Sequence, residues 1–323
     1  MSICFFKILP TIFLKTPLTK GLFHSIIKFM GHGIIIVNPY LVPEQSLYQA
    51  QRLKEEFNKL SVNVEVVSDA FLHSILDCDD IKTKLKGIDF AVYLDKDKYQ
   101  SEILCRVGVK LFNSHQAIRL CDDKGSTYIA LANNNIYMPK TIFAPVCYRD
   151  DLVVNPSWAE QIGNELGYPV IVKESFGSMG KGVYKADNQD QLFALMKQLK
   201  LKPHLYQEYL DTAKGVDIRV IVIGGKAVCA MQRKNQNDFR SNIEQGGKGY
   251  NIQLPSDFKQ VAEKCAKVLG LDYCGVDILY GKDNKPCVCE VNSNAFFTGI
   301  ESTTGYNVAK VYATHIINTL QNC

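Results

Sequence analysis

The chain has 323 residues, 37 Lys+Arg against 33 Asp+Glu, a formal net charge of +4 and 46% hydrophobic residues. At roughly 150 residues per domain this length suggests about two domains with substantial cores, and a charged fraction of 22% excludes a disordered, collagen-like or coiled-coil chain. A charge of +4 is too weak to signal a nucleic-acid or membrane partner.

The charge is unevenly placed. Lys7, Lys15, Lys20 and Lys28 precede the first acid, Glu44. The apolar run Ile8–Leu14 is short and broken by Pro10, whereas a transmembrane helix needs about 20 predominantly apolar residues, so no span is expected. Nor is there the clustered basic start, unbroken apolar stretch and small-residue cleavage site of a secretory signal. We read residues 1–30 as an extension outside the native fold, with Met30 as an alternative translation start. A basic membrane-surface segment and a transit peptide are the other readings.

From Gly33 strands and helices alternate. Ile34–Val37 reads as a buried strand, Glu44–Leu60 as a helix with its charges on one face, Val62–Val67 and Ile88–Leu94 as strands, Lys98–Val107 as a helix, and Val109–Phe112 as a fourth strand ending at Asn113. Such alternation predicts a parallel sheet covered on both faces. Without GxGxxG it is not a dinucleotide site. Helical stretches at Gln116–Leu120, Ser126–Asn133 and Ser157–Leu166 follow, then strands Tyr168–Lys173 and Gly182–Lys185 around a glycine-rich turn, and a helix at Gln189–Leu199. The remainder reads as strands Leu205–Tyr209, Ile218–Ile223 and Lys226–Gln232, a helix Asp257–Leu269, strands Asp272–Tyr280 and Pro286–Val291, and a helix Val308–Leu320. The layout predicts an α/β domain at 31–115 and two α+β domains at 116–204 and 205–323.

Eleven cysteines without a CxxC pair give an odd count and no framework spacing, which fits a reducing, cytoplasmic setting. Cys287 and Cys289 share a strand face, where buried packing outweighs a metal or redox pair. The six histidines form no HExxH, so zinc chemistry gains little support.

Three constellations carry chemistry. Lys173 ends a strand and is followed by Gly177, Ser178, Gly180 and Gly182. Glycines let backbone N–H groups approach anionic oxygens, and a lysine adds a point charge beside a phosphate. A plain glycine-rich hairpin is the alternative. Asp277, Glu290 and Asn292 sit on the two strands flanking the turn near Asp283, with Asp277 roughly opposite Cys289 or Glu290. Opposed carboxylates repel unless a cation lies between them, and two carboxylates with an amide suit Mg²⁺ or Mn²⁺. Arg219, Arg233, Arg240 and Lys248 form a basic group able to stabilise a transferring phosphoryl, or else an exposed loop. Aromatics are too few there for RNA.

Taken together, Lys173 with its glycine loop, Gln207-Glu208-Tyr209-Leu210, Asp217-Ile218-Arg219, Asp238-Phe239-Arg240-Ser241-Asn242, Gly275-Val276-Asp277 and Glu290-Val291-Asn292 resemble the ATP-grasp ligases, and more narrowly their RimK-type branch. Asn113-Ser114 through Asp123-Lys124, and Met138-Pro139-Lys140-Thr141, fit the same branch. The resemblance implies an ATP-grasp fold: a Rossmann-like parallel α/β domain, then central and C-terminal mixed domains clamping ATP. It implies ATP phosphate contact for Lys173 and the glycine loop, adenine contact for Glu208 and Tyr209, a ribose neighbour in Asp217, and phosphate-side roles for Arg240, Ser241 and Asn242. Asp277, Glu290 and Asn292 would hold two Mg²⁺ or Mn²⁺, with Arg240, Lys173 and Arg233 as catalytic cations. The implied reaction joins an amine, glutamate or a similar amino acid, to a protein, peptide or small-molecule carboxylate through an acylphosphate. A nucleotide-binding regulator or inactive ligase is the alternative, and a homo-oligomer is compatible with the sequence. One departure stands out. Phe296 and Phe297 replace the small, Pro-Gly-containing segment that usually follows the metal strand, which predicts an altered acceptor pocket lined by both rings.

Overall fold

The computed structural model describes residues 31–40, 44–72 and 78–322; the extension expected at 1–30 lies outside them. Three sheets occur among the described residues.

The first sheet contains β1 (His32–Val37), β2 (Asn63–Ser68), β3 (Phe90–Tyr93) and β4 (Lys110–Phe112) in the order β2-β1-β3-β4, all parallel. The isoleucines of β1 are buried, as expected of a strand covered on both faces. The connecting helices are α1 (Glu44–Lys59), α2 (Cys78–Lys84) and α3 (Lys98–Arg106). Leu53 and Phe57 of α1 face the sheet. Asp97 caps α3 by accepting from the N–H groups of Tyr99 and Gln100.

Helices α4 (His115–Asp122) and α5 (Lys124–Leu131) lead into the second sheet, where β5 (Thr141–Phe143), β6 (Val170–Glu174), β7 (Val183–Ala186) and β8 (His204–Glu208) pair antiparallel in the order β5-β8-β6-β7. Helices α6 (Pro156–Leu166) and α7 (Gln189–Leu199) cover it. Strand β8 straddles the 204/205 division expected from sequence. It pairs with β5 and β6 of this sheet.

The third sheet, β9 (Val216–Ile223), β10 (Lys226–Lys234), β11 (Lys248–Asn251), β12 (Tyr273–Tyr280) and β13 (Pro286–Asn292), runs β11-β10-β9-β12-β13 and is antiparallel. Helix α8 (Ser256–Leu269) covers one face, and α9 (Phe297–Thr304) and α10 (Val308–Gln321) follow β13. The first and third sheets share a core: Phe57, Phe90 and Phe112 pack in one cluster with Tyr273, Phe297 and Tyr312. Asn113 fastens the same junction. Its amide nitrogen donates to the carbonyls of Tyr273 (2.7 Å) and Ser293 (2.8 Å), and its oxygen accepts from the N–H groups of Asp272 (2.7 Å) and Tyr273 (2.9 Å). No helix among the described residues is long and apolar enough to cross a membrane.

Phe297 is a correction to the sequence reading. The segment after β13 turns at residues 293–294 and then forms α9, and the Phe297 ring is fully buried, edge-on to Tyr273 at 5.5 Å. It is a core residue because α9 needs an apolar face to dock. Phe296 stays partly exposed and lines a cavity beside β13. Phe297→Ala should therefore destabilise the protein by ~3–5 kcal/mol, the cost of a large core cavity, whereas Phe296→Ala should leave thermal stability nearly unchanged. Comparing the two melting temperatures checks the assignment, and equal shifts would contradict it.

Candidate active site

The site lies between the second and third sheets, in a cleft of about 870 Å³. Lys173 sits on β6 with 7% of its surface exposed, and its Nζ approaches the Cys289 sulfur on β13 at 3.5 Å. Burial disfavours its ammonium, but the surrounding Cys289, Tyr128 and Glu290 outweigh burial and raise the Lys173 pKa above its ordinary value. A buried lysine held charged in a cleft is suited to an anionic ligand.

The loop between β6 and β7 closes over this cleft. Gly180 (φ 73°) and Gly182 (φ 71°) lie in the left-handed region. A Cβ on Gly180 would come within 3.1 Å of the Asn242 side-chain oxygen, and one on Gly182 within 3.1 Å of the Glu174 side chain, so both positions need glycine. Gly177, Ser178 and Gly180 line the cleft, whereas Gly182 only delivers the chain into β7. Three donors clasp the loop: Lys124 Nζ to the Gly177 carbonyl (2.8 Å), Arg240 Nη1 to Gly180 (3.0 Å) and the Gln245 amide to Met179 (3.1 Å).

Glu208 and Tyr209 form the far wall. Glu208 accepts the Lys140 N–H at 2.8 Å; Tyr209 stands edge-on to Phe239 at 6.5 Å, with the Lys185 ammonium 5.5 Å from its ring centre. Ser241, Asn242 and Arg240 line the loop side. Arg240 is paired with Asp238 at 2.7 Å, which orients it without fully burying it.

The floor is a four-residue ion network. Arg219 Nε and Nη2 donate to the two Asp277 carboxylate oxygens, each at 2.7 Å. Arg233 Nε donates to Asp217 at 2.8 Å, its Nη2 completes that pair, and the same Nη2 lies 2.9 Å from Asp277. Burial opposes ionisation of Asp277, but Arg219 and Arg233 prevail and hold its carboxyl below the ordinary carboxylate range. For Arg233 burial is likewise outweighed, by Asp217 and Asp277, and its pKa is raised. Arg233, expected as a catalytic cation, is 2% exposed with its charge already balanced; Asp217, expected at a ribose, is bound to that guanidinium.

The register places Asp277 opposite Glu290, one of the two partners expected from sequence, with Gly275 opposite Asn292. Glu290 and Asn292, two apart on β13, share a strand face. The cation that opposed carboxylates require is supplied here by the protein: the arginines for Asp277, and Lys124, 3.4 Å from Glu290. The donor set fits a hard divalent cation, being oxygen only, with two acids and an amide. No cluster of three His, Cys, Asp or Glu occurs among the described residues, so any such ion relies on the amide of Asn292 and shares Asp277 with Arg219. Sequence reasoning singled out neither Cys289 beside Lys173 nor the Asp277–Arg219 chelate. The second was accessible from Asp277 and Arg219 lying on strands predicted for one sheet.

Comparison with known proteins agrees with this geometry. The RimK-like ATP-grasp domain family matches residues 121–316. A protein named "Probable alpha-L-glutamate ligase 2" from Pseudoalteromonas atlantica is 33% identical over 84% of this chain and 92% of its own length. Human N-acetylaspartylglutamate synthase A is 31% identical over 72% of this chain and 58% of its own length. The crystal structure of D-alanine–D-alanine ligase from Bacillus anthracis complexed with ATP superposes with a TM-score of 0.67 at 20% identity, over 90% of this chain and 98% of that one. A glycine loop over a buried lysine, a strand pair bearing acids, and these matches place the chain in the RimK-like ATP-grasp family, as an enzyme of the ATP-dependent ligase type.

Proposed function

We propose that the protein joins glutamate, or a similar amino acid, through its amine to the carboxylate of a protein, peptide or small molecule. The observation that carries this reading is a shared wall. Ser178, Asn242 and Glu290 line both the nucleotide cleft and a second polar cavity, so a carboxylate in the second can meet a phosphoryl group held in the first. The names of the relatives support glutamate as the added amino acid.

In this reading Lys173, Arg240, Ser241, Asn242 and the backbone of the glycine loop bind the ATP phosphates, and Glu208 and Tyr209 bind the base. The substrate carboxylate attacks the γ-phosphorus, ADP leaves, and the amine then displaces phosphate from the acylphosphate. Two Mg²⁺ or Mn²⁺ held by Asp277, Glu290 and Asn292 would supply charge neutralisation at the phosphoryl oxygens. The clasped loop excludes water from the acylphosphate. Arg233 acts through Asp217 and Asp277, fixing their carboxylates. The unpaired cysteines among the described residues support a reducing, cytoplasmic setting.

An ADP-release assay tests the reading with glutamate, N-acetylaspartate and acidic peptides as acceptors, each with and without added amino acid. ADP formation that requires both partners, with an amide product by mass spectrometry, is the expected result. ADP with a stable phosphoester instead would make the protein a kinase.

A further inference from the structure

The second cavity, about 950 Å³, opens between the carboxyl ends of the first sheet's strands and the end of β13. Carboxyl ends of parallel strands are where open α/β sheets collect ligands. Asp95, just after β3, lines it. Its carboxylate accepts from the Asn38 side-chain amide (2.9 Å) and from the Lys96 N–H (2.6 Å). No basic side chain pairs with it among the described residues. Burial raises the Asp95 carboxyl above its ordinary value, only amide donors lower it, and Asp97 and Asp122 raise it further. It is an oriented carboxylate lacking a counter-charge.

The cavity's cations, in contrast, each face an acid. Arg219 is chelated by Asp277, and Lys96 lies 3.5 Å from Asp122. Asn294, also on the cavity wall, donates its amide nitrogen to the Leu94 carbonyl at 2.9 Å. Its buried oxygen has no partner among the described residues. That bond also ties the backbone next to Asp95 to the segment leaving β13, two residues beyond Asn292. This wall thus presents an oriented carboxylate without a basic partner, which suits a positively charged donor; Glu244, exposed on the rim, adds a second carboxylate with no ion pair among the described residues.

We propose that Asp95, held by Asn38, seats the ammonium group of the amine substrate, with the Asn294 side-chain oxygen taking a second N–H. Lys96 keeps N–H donors beyond the one facing Asp122, and these receive the carboxylate of the same molecule, so the ligand is a zwitterionic α-amino acid. The proposal rests on the ligase reading and names the part of the site that selects the amine.

Calorimetric titration of the full chain loaded with Mg²⁺ and a non-hydrolysable ATP analogue tests it. L-glutamate is the probe, and glutarate, with the same two carboxylates and no amine, is the control. The wild type should bind L-glutamate at least tenfold more tightly than glutarate, and Asp95→Asn should lose at least tenfold for L-glutamate while holding the nucleotide analogue within twofold. Equal affinity of the wild type for both ligands, no binding of L-glutamate, or a variant within twofold of wild type would overturn the proposal. A separate arm isolates the ligase reading: wild type with ATP, hydroxylamine and the carboxylates of the ADP assay should form a hydroxamate by trapping the acylphosphate. Hydroxamate formed by an enzyme whose Asp95→Asn variant is unaltered keeps the ligase and discards the seat; selective glutamate binding without any hydroxamate does the reverse.

Discussion

Glu290→Ala is expected to lower turnover by about 10²–10⁴-fold while the protein stays folded. Metal ligation at a phosphoryl group contributes several kcal/mol of transition-state charge stabilisation, and each 1.36 kcal/mol is about tenfold in rate. The carboxylate is partly exposed, and its contact with Lys124 is a single 3.4 Å pair, so its removal should change stability by less than ~1 kcal/mol. ADP release under saturating ATP, read beside the melting temperature, checks both halves. Near-native turnover would remove Glu290 from the metal set, and a large fall in melting temperature would make it a structural residue instead.

Arg233→Met acts in the opposite sense, on the fold more than on a reacting atom. The substitution leaves Asp217 buried without its guanidinium and strips Asp277 of one of two. Breaking a buried pair from one side costs ~3–5 kcal/mol, because the surviving charge stays desolvated. Chemical denaturation should show a loss of that size, and Arg233→Met combined with Asp217→Leu should recover much of it. A single variant as stable as wild type would show that the network is solvated in solution. The network also sets an acid limit. Arg219 and Arg233 hold the Asp277 carboxyl below its ordinary range, so its contribution is complete above the ordinary carboxylate range and is lost as the pH falls through the lowered value.

The parts legible in the sequence were those with local signatures. The isoleucine run of β1, the glycine loop after Lys173 and the hairpin around Asp283 each declare themselves within a dozen residues. Strands β5 and β11 were missed because one has three residues and the other reads Lys-Gly-Tyr-Asn, an edge strand without alternation. Helix α9 was missed because Phe-Thr-Gly-Ile-Glu-Ser-Thr-Thr is a poor helix former; burial of Phe297 and Ile300 against the shared core imposes it. The four bonds of Asn113 reach residues 159–180 positions away, and no periodicity encodes such a distance. Asp95 was passed over for a similar reason: its neighbours Asn38 and Asn294 belong to other segments.

The junction at Asn113 bears on how the enzyme opens. The first and third sheets are bonded through the saturated Asn113 amide and the Asn294–Leu94 bond and are packed into one core, while the second sheet, with its glycine loop, has a core of its own. Any hinge therefore separates the second sheet from the other two as a pair. Asp95 and Asn294 stand on opposite sides of the bonded junction, so the distance between them is fixed before a nucleotide arrives. The Asp95–Asn294 side of the amine pocket is a rigid template, and the facing side, Ser178 and Met179, belongs to the phosphate lid.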